Sequence, residues 1–200
     1  MPTPKIKRGY RKTRYILYKE TLIDYKEQFW SFLGSFIGIG LIAYSQSQQF
    51  LHQDVVYLIG SFGASSVLVY GIIESPFSQP RNLIGGHVIS AFIGVTVEHL
   101  LPNTMFLAAP LAVSLSIVVM QITKTLHPPG GATALIAIIS SEQIKDLGYW
   151  DVLSPVLSGV LILFFTALIF NNMTSVRRYP AHSTYHNRYL KVIKHLRKRN

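Results

Sequence analysis

The sequence predicts an all-α membrane protein of about six transmembrane segments, arranged as two inverted three-helix repeats in which the middle helix is broken or short. Three observations carry this. Only 14% of the 200 residues are charged, against roughly 25% in an ordinary soluble domain. Between residues 29 and 176 the only Lys or Arg side chains are Arg81, Lys124 and Lys145; the other sixteen lie at the two ends, eight within 1–28 and eight within 177–199. Finally, GASSVLVYGII at 63–73 and GATALIAIIS at 131–140 resemble each other at an offset of 68.

Taken in order, residues 1–13 are rich in Pro, Lys and Arg. From 14 to 28, Tyr15, Tyr18, Leu22, Tyr25 and Phe29 recur at helical spacing. Two readings stand: an amphipathic helix at the membrane surface, with Lys19 and Lys26 near headgroups, or a helix packed on a neighbouring subunit. The first apolar run, 29–45, has Trp30 and Tyr44 near its ends, as an aromatic belt requires. Further runs follow at 55–73, 83–101, 105–124, 130–141 and 152–170. Residues 1–28 form a basic cytoplasmic or interfacial segment, 29–172 the transmembrane domain and 173–200 a basic tail. Six crossings bring both basic ends to one side, and the positive-inside rule makes that side cytoplasmic.

Adding 68 to the third run, 83–101, gives 151–169, nearly the sixth; the first run maps on the fourth with a shift nearer 76. Three crossings per unit invert the second unit, an arrangement common in secondary transporters. The middle helix of each unit is unusual. Its helical part is expected to start at the Gly-Ala-Ser/Thr string, deep in the membrane. In the second unit Pro129 has no N–H, and Pro128 holds His127 extended. Irregular backbone at that depth is tolerated only inside protein or along a cavity. Helix starts carry unpaired N–H groups and a partial positive charge, so two such starts meeting near the midplane would bind an anion. The candidate donors are Gly63, Ala64, Ser65 and Ser66 in the first unit and Gly130, Gly131, Ala132 and Thr133 in the second.

GSFGASSVLVY (60–70), SPFSQPRNLIGGH (75–87) and AVSLSIVVMQITKTLHPPGGATAL (112–135) carry a resemblance to the HPP family of integral membrane proteins, named for the tripeptide seen here as His127-Pro128-Pro129. The likeness covers about 30–172. It implies a membrane transporter, with plant and cyanobacterial relatives linked to nitrite uptake. The family is described as four-helix; six segments are counted here because two short, broken ones are included. The basic ends lie outside the resemblance.

His127 is a candidate gate or proton-coupled group, because imidazole titrates near neutral pH, or a turn cap. Arg81 attracts the anion at the inner mouth, ties its loop to a carbonyl, or is a positive-inside charge. His87, within the third run, is an intramembrane polar residue and so a site candidate, or a histidine satisfied by a neighbouring helix. Glu98 and His99 read as an interfacial pair rather than a proton relay, and Lys124 as a snorkelling side chain.

The sequence therefore predicts a carrier or channel for a small inorganic anion, nitrite above all, with the lipid bilayer as surroundings, a homo-oligomer as one option and no cofactor. The alternative is a structural or regulatory subunit whose basic tails bind a partner or anionic lipid. Nucleic acid fits poorly, because the charge is split between chain ends instead of lining one face. An enzyme fits poorly as well, since neither H-E-x-x-H nor a nucleophile elbow occurs. With no recognisable transit peptide, the expected location is a bacterial cell inner membrane with both termini cytoplasmic.

Overall fold

The computed structural model describes residues 24–181. The surface helix expected over 14–28 and the helix expected in the tail lie mostly or wholly outside them. The chain is all helical among the described residues. Five helices are long and apolar enough to cross a membrane, and a shorter apolar one accompanies them.

Helix α1 spans Tyr25–Ser47 and starts where the Asp24 carboxylate accepts the Lys26 N–H at 2.9 Å. Gly34, Gly38, Ile42 and Gln46 form its buried stripe at a spacing of four, whereas Phe32, Phe36 and Tyr44 are exposed. An apolar exposed face of this kind suits lipid. Helix α2, His52–Ser66, continues without interruption into a π-helical turn at Val67–Gly71. A short 3₁₀ turn, Pro76–Ser78, leads to α3, Pro80–Leu100, with Pro80 in its first turn. Helix α4 covers Met105–Thr123 and is ended by Lys124 in the left-handed region, φ 57°. The short α5, Pro128–Ile139, is followed by the single turn α6, Glu142–Lys145. The last crossing opens with a distorted π turn, Val152–Leu157, in which Ser154 is extended ahead of Pro155, and continues as α7, Ser158–Phe170.

The sequence is corrected at one point that matters. Gly63 does not start a helix: the first middle helix begins at His52, eleven residues earlier, and its departure from α geometry lies at the opposite end, from Val67. In the second unit the extended His127 (φ −138°, ψ 108°) is as expected, but the helix start is not. It falls at Pro128, three residues before the Gly131-Ala132-Thr133 string, because prolines fit a first turn whose N–H groups need no helical partner.

Side-chain bonds define two faces. On the terminal face, which carries both ends of the described chain, Arg177 is paired with Glu27 and bonds Ser31 Oγ at 2.6 Å. There Tyr179 also donates to the Ser78 carbonyl at 2.8 Å. On the distal face, Asp54 accepts both the backbone N–H and the hydroxyl of Ser141, and Lys145 meets Glu98 at 3.0 Å. The helices thus run alternately between two faces, although α5, with twelve residues, is shorter than a full membrane span and only five of the described helices reach that length, against the six expected.

The packing does not follow the halves of the sequence. Helices α1, α2 and α7 share one core, built on Ile42, Leu58, Phe62, Val160 and Leu163, into which α3 sends Leu83 and α5, packed on α2, sends Ile136. Helices α3, α4 and α5 share another, built on Val97, Ala108, Ala112, Ala134 and Ile138. The third helix of each half therefore joins the first two of the other half. Glycines allow the close approach within the second group: a methyl on Gly94 would lie 2.6 Å from the Ala134 carbonyl oxygen, and one on Gly86 2.3 Å from His127 Cβ.

Candidate functional site

The seam between the two groups is crossed by a buried chain of hydrogen bonds. Ser65, on α2, is wholly buried. Its Oγ lies 2.7 Å from His87 Nε2 and 2.9 Å from His127 Nε2. His87, on α3, and His127, at the head of α5, are also fully buried. His87 Nδ1 is 2.7 Å from Thr133 Oγ1, and His127 Nδ1 is 2.8 Å from the Phe77 carbonyl oxygen. The imidazole centroids are 5.0 Å apart, and Phe62 covers His87 at 5.2 Å.

The direction of the protons follows from one fixed acceptor. A carbonyl oxygen cannot donate, so His127 Nδ1 carries a hydrogen. In neutral His127 the Nε2 is then bare and accepts the Ser65 hydroxyl hydrogen. Ser65 Oγ in turn accepts from His87 Nε2, which leaves His87 Nδ1 to accept from Thr133. Four side chains and one carbonyl are thereby satisfied without any charge. A second arrangement fits the same heavy atoms. With one added proton, His127 Nε2 donates to Ser65, whose own hydrogen turns to the Ser61 carbonyl at 3.1 Å. The cluster can accept a proton by reorienting one hydroxyl, with no movement of the helices.

Local sequence explains each position. The two prolines force His127 out of helical geometry and aim it back across the seam, while Gly86 opposite leaves room for its Cβ. Gly130 sits where a methyl would be 2.7 Å from Ser90 Oγ and 3.0 Å from the Gly86 carbonyl oxygen. The neighbouring loop is tied down by Asn82, donating to the Leu126 carbonyl at 2.6 Å. Ser78 Oγ donates to the Leu68 and Ile72 carbonyls, both at 2.8 Å, which fixes the turn that presents Phe77.

Of the residues expected at the site, Ser65, His87, His127 and Thr133 come together. Gly130 packs beside them, and Ser66 is buried next to Ser65 with no hydrogen-bond partner for its hydroxyl. The others do not converge. Ala64 and Ala132 are exposed on the outer surface of their helices, and a methyl on Gly63 would meet nothing within 4 Å. Gly131 is loosely surrounded, its nearest neighbour for a methyl being Val113 at 3.8 Å. Arg81 is exposed and donates to the Thr123 carbonyl at 2.6 Å, closing the loop between α4 and α5.

The opposed helix starts are corrected for a physical reason. Gly63–Ser66 lies inside a continuous helix, whose N–H groups are already bonded. At α5, Pro128 and Pro129 have no N–H, and the Gly130 N–H is used by the His127 carbonyl at 2.8 Å. Little free donor capacity is left at either place. The site is built from side chains. It lies seven residues, about 10 Å at 1.5 Å per residue, into α3 from Pro80, about two-thirds of the way from the terminal end of that helix to its middle. The backbone hydrogen bond expected of His127 as a turn cap is present, with the Phe77 carbonyl as its acceptor; which carbonyl would serve leaves no mark on the sequence.

A bundle of apolar crossing helices with a dry polar relay at its centre defines an integral membrane protein. The chain belongs to the HPP family: its residues 20–180 match the family described as HPP, transmembrane region. Two curated proteins of Dictyostelium discoideum, each described only as a transmembrane protein, are 46% identical to it over 160 residues. Those alignments cover 78% of this chain and 51% and 56% of the two relatives, so the chain spans about half of their length. No solved structure matches it.

Proposed function

We propose that the protein transports a small inorganic anion, nitrite in the first instance, together with a proton, and that the Ser65–His87–His127–Thr133 chain is the coupling site. The reading rests on one observation: two wholly buried imidazoles share a single hydroxyl across the boundary between two helix groups. A bare anion entering an uncharged buried site loses its hydration without compensation. Loading one proton on the imidazole pair supplies the counter-charge and converts Nε2 of His127 from acceptor to donor. The pair then releases anion and proton together. The moving parts are the observed groups, α1, α2 and α7 against α3, α4 and α5, not the two halves of the sequence. The Pro76–Ser78 turn, bonded through Phe77 to His127, is the barrier on the terminal face.

The positive-inside bias of the basic ends favours a cytoplasmic position for that face. The curated relatives are eukaryotic, so the proposal covers the side on which the termini lie and not a bacterial membrane. The test is uptake into proteoliposomes of nitrite, nitrate, formate and bicarbonate, with and without a pH gradient. Nitrite uptake should be driven by an inward proton gradient and lost in His127→Ala. Absence of uptake for every anion would overturn the proposal.

A further inference from the structure

A second cluster of titratable groups lies on the distal face, apart from the histidine chain. A cavity of about 10 Å³, close to the volume that admits one water, is lined by Glu98, His99, Ala137, Lys145 and Asp151. Asp151 caps the last crossing and is only 3% exposed, and its Oδ1 has no hydrogen-bond partner. An ionised carboxylate so placed would be desolvated and uncompensated, whereas the protonated acid avoids that penalty. The cation nearest to hand is already committed: Lys145 Nζ lies 3.0 Å from Glu98 and 3.7 Å from Glu142. His99 stands at the rim with its ring 5.5 Å from that of Tyr149. The groups facing the cavity and its rim are therefore Glu98 and His99 from α3, Lys145 with Glu142 from α6, Tyr149 from the following turn and Asp151 itself. Helix α5 contributes the apolar Ala137.

We infer that Asp151 is a proton-binding site of the distal face, exchanging with solvent through this one-water cavity past the Glu98–Lys145 pair and His99. Burial raises its carboxyl from an ordinary 3.8 to about 7, so the site loads and unloads near neutral pH. Its position gives it a use. Ala137, which lines the cavity, is one helical turn beyond Thr133, about 6 Å along α5 at 1.5 Å per residue. The histidine chain ends at Thr133. Asp151 would thus serve as the distal proton donor to the coupling site, a role that rests on the transport reading, whereas the proton site itself does not.

Infrared difference spectroscopy of the full chain in lipid nanodiscs, titrated from about pH 5 to about pH 9, tests the site without any flux. A carboxylic-acid C=O band should disappear with a midpoint near pH 7 and be absent from Asp151→Asn. Lys145→Gln keeps Asp151 and removes the ammonium that lines the cavity, leaving Glu98 without its partner, so the band should persist with its midpoint moved to higher pH. This second variant decides the matter if Asp151→Asn does not fold. A spectrum unchanged by Asp151→Asn, or a midpoint unmoved by Lys145→Gln, overturns the inference. A titrating Asp151 in a protein that moves no anion would instead count against the transport reading and leave the proton site standing.

Discussion

Replacing Ser65 with Ala removes the hydroxyl that bridges α2 to both His87 on α3 and His127 at the head of α5. Ser65 Oγ is within 3.1 Å of three partners: His87 Nε2, His127 Nε2 and the Ser61 carbonyl oxygen. The carbonyl keeps its helical bond, but both imidazole nitrogens are orphaned, and none of the three residues is accessible to water. A buried polar group left unsatisfied costs about 1–3 kcal/mol, so two cost about 2–6 kcal/mol. A loss near 4 kcal/mol lowers the unfolding temperature by about 8–16 °C in a chain of this size. Ser66→Ala is the matched control. Ser66 is the next residue and is buried like Ser65, but its hydroxyl has no partner. Its removal should be neutral or mildly stabilising. Thermal unfolding of the detergent-solubilised protein, followed by tryptophan fluorescence, separates the two. Equal shifts for Ser65→Ala and Ser66→Ala would refute the reasoning, because they would mean that the bridging hydroxyl contributes no more than an idle one.

Other substitutions probe the packing that holds the relay. Gly94→Ala places a methyl 2.6 Å from the Ala134 carbonyl oxygen and should cost about 1–3 kcal/mol as α3 and α5 are pushed apart, whereas Gly63→Ala meets nothing and should be neutral or stabilising by up to about 1 kcal/mol; thermal unfolding reads both. Arg177→Ala leaves the partly buried Glu27 without its partner and should destabilise by about 1–3 kcal/mol, while Arg177→Met combined with Glu27→Gln should recover most of the loss in the same assay. Between pH 3.8 and about 7 the folded protein holds the Asp151 proton that the unfolded chain has begun to release. The native state binds more protons there, so stability should fall as pH rises through that window. Unfolding temperatures across the window should show this fall, and Asp151→Asn should flatten it.

The sequence was most informative where chemistry restricts the backbone. Two consecutive prolines allow His127 little but extended geometry, so that kink was legible in the sequence, whereas the helix start at Pro128, within the proline pair, lies three residues before the expected Gly131. The apolar runs gave the crossings for the same reason: hydrocarbon thickness fixes their length. Ser65 and Thr133 were picked out as donors at helix starts, yet they act through hydroxyls in a side-chain network, and Ser65 sits mid-helix. Gly63 suggests a break from its sequence alone, yet it is a partly buried glycine with open space beside it in a continuous helix. The exchange of third helices between halves was not legible, because periodicity gives each helix a buried face and no partner. Arg177 sits just past the last crossing and looks like another positive-inside charge; only tertiary contact with Glu27 reveals it as a clamp. Asp54 and Asp151 gave no periodic signal, and both proved buried on the distal face.

The central claim is that the imidazole pair carries a proton with each anion. The most direct measurement records internal pH and internal nitrite together in proteoliposomes after an outside nitrite jump, with protein-free vesicles subtracted. The account predicts acidification in step with nitrite entry, and loss of both in His127→Ala. Nitrite entry without acidification, or coupled entry that persists in His127→Ala, would contradict it.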